Sequence, residues 1–458
     1  MTEQLRFETP WLEHSTTDRP PPVRSVQYLG SKARFVEPIA RAISELAPGD
    51  GRALDIFSGS GSVAGYLART RAVTAVDVQE YARVLASAVL RPWRGTTQDV
   101  EGLAAEASRR TLALLSQPAL KALHDYEQQA LSAVTKQPEK LAQLLEHGSI
   151  EAASAGALGA SASLSELLRC AYVELSISAR DAVLTRQFGG VYFGYEQAAV
   201  LDGLLGAIRS VGERELIDTA LAATMRAASV TVTSVGNHFA QPVRPRDAHG
   251  ELKQATLQGV ARARTRDVQD LFLEQMTCYA RAPETIAGSK AVTADFRIFL
   301  TEAMDDVSVA YADPPYTRDH YSRFYHVLET MARGDDPRLS MVTTGDHVSP
   351  SRGLYREGRH QSPFSIRTQV REAFDGLFAG LSARGIPLVL SYSPYSGGTL
   401  ARPQPRLLTV EQIVCLAQEH FTSVEVRSLG AFRHSKFNAS IVNGEAHSEA
   451  EQLILCAL

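Results

Sequence analysis

The chain has 458 residues, 44% hydrophobic and 21% charged, which supplies apolar material for a sizeable core and excludes a fibrous or wholly disordered protein. At about 150 residues per domain the length fits about three units, or one enzyme core carrying a large insertion. Its 47 basic and 51 acidic side chains leave a formal charge of -4, so no global positive field draws it to polyanions and any such partner must meet a local basic patch.

The four cysteines, Cys170, Cys278, Cys415 and Cys456, form no CxxC pair and are expected to be reduced thiols, mostly core filler. The start, MTEQLRFETP, has no apolar signal core, and no run of about 18 apolar residues occurs. A cytoplasmic protein without membrane contact is expected, and nothing reads as a zipper or symmetric interface, so a monomer is expected too.

Residues 1–23 are polar, end in Arg19-Pro20-Pro21-Pro22 and are expected to form a loose arm. Apolar residues recur at helical spacing from Phe35 to Leu46, where Pro48-Gly49-Asp50-Gly51 stops the helix. The run Ala53 to Phe57 predicts a strand entering Ser58-Gly59-Ser60-Gly61, followed by a helix over Val63 to Arg69 and a second strand from Ala72 to Val76 ending at Asp77: a βαβ unit. Between about 95 and 285 long Ala/Leu-rich helical periods take over, broken by the small residues Ser154 to Ser163. Strand signals return at Ala291–Ala294, Val307–Ala312, Pro387–Ser391, Val424–Val426 and Gln452–Cys456. The total of about seven, mostly separated by helical periods, predicts a doubly wound α/β sheet, with a catalytic domain over 24–95 and 285–458 and a helical insertion over 96–284.

Glycines between a strand and a helix allow a sharp turn and close approach of a ligand. The pattern Gly59-x-Gly61-x-x-Ala64 with an acid at Asp77 suits NAD or S-adenosylmethionine equally, because the Asp77 carboxylate can accept from both hydroxyls of a ribose. Asp55, near the carboxyl end of the first strand, can hold an ammonium group, which S-adenosylmethionine has and NAD lacks. Its other reading is an acid satisfied by nearby backbone N–H groups. Directly after the strand Val307–Ala312 comes Asp313-Pro314-Pro315-Tyr316, where two prolines force a rigid loop out of the sheet. The Asp313 carboxylate and Pro314 carbonyl are two acceptors for the two hydrogens of an exocyclic amino group, and Tyr316 offers a stacking face.

Tyr28-Leu29-Gly30-Ser31-Lys32, Phe57-Ser58-Gly59-Ser60-Gly61 and Asp313-Pro314-Pro315-Tyr316, in that order with a long insertion before the tetrad, resemble the Dam-type, alpha-group DNA N6-adenine methyltransferases. The resemblance covers roughly 26–95 and 285–458 and implies a Rossmann-like methyltransferase sheet using S-adenosylmethionine. It implies that Tyr28 and Lys32 line the methionine end of the cofactor, that Asp55, Phe57, Ser58, Gly59 and Gly61 hold its methionine and backbone side, that Asp77 holds the ribose and that Asp295 meets the adenine. Asp313, Pro314, Pro315 and Tyr316 would grip a base flipped out of double-stranded DNA, and the methyl group would move by direct in-line displacement without a metal. Two departures are a Val76-Asp77-Val78 context in place of an Asn-Asp pair and an insertion that matches only in position, where this family carries its target-recognition region.

For a chain of negative charge, DNA binding needs focused positive regions. Arg244, Arg246, Lys253, Arg262, Arg264 and Arg266 form the densest basic stretch, with a solvated helix face as the other reading. Arg318 and Arg323 after the tetrad, and Lys436 in the polar loop His434–Asn438, are further candidates, and Gly236-Asn237-His238-Phe239 is a candidate recognition loop. The same fold could instead serve RNA adenine, cytosine N4 or a glutamine amide, although Asp rather than Ser or Asn at 313 favours adenine in DNA. A non-catalytic DNA-binding subunit has no need of both motifs, and an NAD dehydrogenase leaves the tetrad unexplained. A cognate restriction or defence partner, and a setting in restriction-modification, phage defence or regulation, stay open.

Overall fold

The computed structural model describes residues 26–28, 30–302, 304, 306–315, 321–393, 397–399, 402–404, 407–429 and 451–458. The expected arm 1–23 and the candidate residues Tyr316, Arg318 and Lys436 lie outside them.

Seven strands form one sheet: β1 (Arg52–Ile56), β2 (Val73–Asp77), β3 (Lys290–Thr293), β4 (Val307–Ala312), β5 (Leu388–Tyr392), β6 (Ser423–Ser428) and β7 (Gln452–Ala457). Their order is β6-β7-β5-β4-β1-β2-β3. β7 runs antiparallel to both neighbours, while the β5-β4-β1-β2-β3 ladder is parallel, so the sheet is mixed. Period-two alternation explains its two cores. Leu54, Ile56, Ala310, Ala312, Leu388 and Leu390 pack with the helices Val370–Ser382 and Val410–Gln418 on one face. Ala53, Val309, Tyr311 and Val389 pack with the helices Val36–Leu46 and Ser62–Leu67 on the other.

After β1 and β2 the chain fills one side of the sheet, then crosses to lay β4 against the opposite edge of β1. The carboxyl ends of β1 and β4 therefore meet at a topological switch point, where open α/β sheets leave a crevice. Asp55 is paired with Tyr311 and Ile56 with Ala312, so the glycine loop and the tetrad leave the sheet side by side.

Between residues 97 and 280 the described structure is helical, beginning with Thr97–Leu115 and ending with Val268–Ala280. The first of these helices starts in a capping box of Thr96 and Asp99. The helix Glu80–Leu90 joins this region to the sheet. Its apolar residues are buried almost all round, and buried Arg83 donates twice to Asp218 of the helix Arg214–Thr231, both at 2.8 Å. A hairpin of Met341–Thr344 with His347–Pro350 has no counterpart in the sequence expectation. Only Cys456 of the four free cysteines is buried, which corrects the expectation of core thiols. Among the described residues no helix is long and apolar enough to cross a membrane and no group of metal-ligating side chains occurs.

Candidate active site

At the switch point lies a cleft of ≈ 1220 Å³, including its open mouth, lined by Tyr28, Lys32, Asp55 to Ser60, Asp77, Asp295 and Asp313 to Pro315 among others. The glycine loop forms its floor. Phe57, expected as the last strand residue, leaves the strand with φ +66, a left-handed conformation that is strained for an aromatic residue. Its ring meets Phe296 and Phe364 edge-on, each at 5.2 Å between centroids. Gly59 has φ +52, and a Cβ there would lie 2.7 Å from the Tyr28 phenol oxygen. Tyr28 has little freedom to yield, because it stacks on Tyr325 at 4.9 Å with 6° between the planes.

Three carboxylates converge. Asp55 is 1% exposed, and its Oδ2 has no hydrogen-bond partner; burial raises its pKa well above the carboxylate range, opposed by the Ala64 amide at the start of the helix Ser62–Leu67. Asp77 accepts from the Gly59 and Gln79 amides, both at 3.0 Å, and burial pushes it up to about 6. Asp313 is 21% exposed and accepts an ion pair from Lys32 Nζ at 2.9 Å. Lys32 is 7% exposed and also faces Glu451 Oε1 at 3.5 Å. Glu451, only 2% exposed, stands just before β7. The tetrad loop is tied down by Ser365, whose hydroxyl donates to the Pro315 carbonyl at 2.9 Å.

A buried carboxylate oxygen without a donor beside a glycine cradle fits a ligand bearing an ammonium group. The unpartnered Ser58 Oγ adds a second polar atom there. The family model of the D12 class N6 adenine-specific DNA methyltransferases matches this chain over residues 28–133 and 252–374, which together contain every cleft residue named above except Glu451. The chain belongs to that family. D12 methyltransferases use S-adenosylmethionine, whose ammonium suits the orphaned Asp55 oxygen. The modification methylase LlaI of Lactococcus lactis subsp. lactis is 29% identical over 179 residues, 38% of this chain and 25% of the relative. The matched part thus spans about a quarter of that protein's length.

In this D12 chain the cleft gathers all the sequence-expected cofactor residues except Gly61 into its lining. Gly61 sits behind, where a Cβ would approach Ala86 Cα to 2.8 Å. Lys32 differs from the expectation in its partners: its ammonium bridges Asp313 and Glu451. Asp295 lines the cleft, but its carboxylate is doubly bonded by Arg297, at 3.0 and 2.7 Å, and that pairing lowers its pKa. Glu451, Ser365 and the lining segment His360–Pro363 carry no sequence signal, because no motif or period marks them.

The basic stretch corrects the sequence reading. Arg264 is buried with a fully covered side chain, paired with buried Glu127 and bonded to the Gly190 carbonyl at 2.6 Å, so it cannot meet a phosphate. Arg246 is engaged by Glu139 and Glu146. Arg244, Arg262 and Arg323 are exposed. The loop Gly236–Phe239 is anchored beside the residues after the tetrad: the His238 ring lies 4.5 Å from that of Phe324, and the Phe239 amide donates to the Phe324 carbonyl at 3.0 Å.

Two outcomes are expected. Gly59→Ala combines a strained φ with a clash against a stacked tyrosine, and should weaken S-adenosylmethionine binding at least tenfold and cost about 1–3 kcal/mol of stability, measured by titration calorimetry and denaturant unfolding. The second concerns pH. Asp77 has a folded pKa above its unfolded one, so its protonation stabilises the fold fully below about pH 4, and this contribution is lost as pH rises through about 6. The role expected of Asp77, accepting from the ribose hydroxyls, needs its ionised form. Affinity for S-adenosylmethionine should therefore climb as pH rises through about 6, and a flat profile between about pH 5 and 8 would contradict the assignment.

Proposed function

We propose that this chain transfers a methyl group from S-adenosylmethionine to N6 of an adenine flipped out of double-stranded DNA, by direct in-line displacement. The observation that carries the reading is the arrival of Asp313 and Pro314 at the same cleft as Asp55 and Asp77. When bound, S-adenosylmethionine supplies an electrophilic methyl group on a sulfonium. Asp55 holds the ammonium, the glycine loop admits the backbone of the methionine, Asp77 accepts from the ribose hydroxyls and Asp295 stands near the adenine. Asp313 and the Pro314 carbonyl accept the two hydrogens of the target amino group, which orients the nitrogen lone pair, and Tyr316 supplies the stacking face. The hydrogen bond to Asp313 strengthens as positive charge grows on nitrogen. Flipping costs a few kcal/mol, offset in part by stacking of about 1–3 kcal/mol.

The helical segment 96–284 is the proposed target-recognition region, and the protein would act as a cytoplasmic monomer. The name of the relative, a modification methylase, supports a role in restriction-modification. Labelled methyl transfer to unmethylated duplex DNA, followed by digestion to nucleosides, tests the reaction. N6-methyldeoxyadenosine is the expected product; label in N4-methylcytosine, or none with the cofactor bound, would overturn it.

A further inference from the structure

Beside the mouth of the cleft the fold gathers arginines around one tyrosine ring and along the neighbouring loop. The guanidinium carbons of Arg323 and Arg359 lie 5.7 and 4.8 Å from the centroid of one ring, Tyr355. The Tyr355 hydroxyl donates to the Ala240 carbonyl, and Tyr192 donates to both Phe239 and Gly353 carbonyls, at 2.7 and 3.1 Å. These bonds fasten the segment carrying Arg244 to the one carrying Arg352. Among the described residues none of these four arginines makes an ion pair, whereas the neighbouring Arg356, Arg333 and Arg246 are paired with Asp335, Glu329 and Glu139. Burial and like charge act on the cluster: Arg359 is lowered by desolvation and then by Arg323, and Arg352 by desolvation and then by Arg244, with Glu146 opposing in part.

Arginines set in two close pairs, Arg323 with Arg359 and Arg244 with Arg352, with Arg359 half-buried and none in an ion pair, repel one another, and a polyanion laid across them removes that cost. Their position selects the polyanion. Arg323 follows Tyr321 and Ser322, and Arg359 precedes His360, all three of which line the cleft, so the cluster borders the mouth through which a base must enter.

We propose that Arg244, Arg323, Arg352 and Arg359 form a clamp for the DNA phosphates flanking the flipped base, with Tyr355 holding Arg323 and Arg359 in place. The clamp rests on the reading of the protein as a DNA methyltransferase. Its test is fluorescence anisotropy on a short unmethylated DNA duplex between about 50 and 200 mM salt, with a matching RNA duplex alongside. The double variant Arg323→Gln/Arg359→Gln should lower the slope of log affinity against log salt by about 1.8, two contacts at about 0.9 each. The KM for DNA should rise at least tenfold, while kcat and S-adenosylmethionine affinity stay unchanged. Arg323→Lys/Arg359→Lys should restore most of the slope. Should the glutamine pair fail to fold, Arg244→Gln/Arg352→Gln, at exposed positions, reads the same slope.

A wild-type slope in both glutamine pairs overturns the clamp, as does a loss confined to RNA binding. Wild-type protein that methylates DNA while the variants keep their slope overturns the clamp alone. Arginine-dependent DNA binding without any methyl transfer supports the clamp and overturns the catalytic reading instead.

Discussion

Asp313→Ala is expected to reduce methyl transfer by about 10³-fold or more while S-adenosylmethionine binds nearly as tightly as before. The Asp313 side chain reaches the cleft from the rigid loop after β4, on the side where the target base must arrive, whereas Asp55 and Asp77 come from β1 and β2. Removing it takes away the carboxylate proposed to accept from the target amino group. Glu451 still faces Lys32, so the buried ammonium keeps a counter-charge and the fold should survive. Asp313→Asn keeps the shape but loses the charge, and should retain a small fraction of the rate above that of the alanine variant. Single-turnover transfer of labelled methyl, with calorimetric titration of the cofactor, separates chemistry from binding; unimpaired turnover in Asp313→Ala would end the proposed mechanism.

Lys32→Met should be the most destabilising single change at the site. It removes the cation that half-buried Asp313 and buried Glu451 share. Breaking a buried pair by removing one partner typically costs about 3–5 kcal/mol, because the remaining charge is stranded. Denaturant unfolding of the variant and wild type at neutral pH measures this, and a difference below about 1 kcal/mol would show that water screens the triad. Glu451→Gln should cost less, since Asp313 continues to hold Lys32. It should still slow transfer by loosening the ammonium that orients Asp313.

Much of the catalytic framework is legible in the chain because its signals are local. The alternation of Val307 to Ala312 marks a strand wherever it packs, and Asp313-Pro314-Pro315 must leave a sheet because proline has no N–H to give the ladder. The same holds for the glycine loop, where Phe57 alone departs from its expected strand conformation by turning left-handed. Direction is not local: the hydrophobic pattern of β7 reads the same in either sense, and only its pairing with β5 and β6 reverses it.

Charge is the least local property, and here the chain by itself determined only where cations are dense. Arg264 stands in the densest basic stretch yet turns inward, because Glu127 from another helix waits in the core to neutralise it. Asp313 and Glu451 both meet Lys32, near the other end of the chain, because the β7 strand returns to insert between β5 and β6. The sequence by itself determined the strand–loop–helix framework, the glycine cradle and the tetrad, each set by the conformational limits of neighbouring residues. Which acids and bases face one another, and so which cations stay buried and which await a polyanion, was decided only by the tertiary structure, since partner choice depends on distances in space that no spacing along the chain encodes.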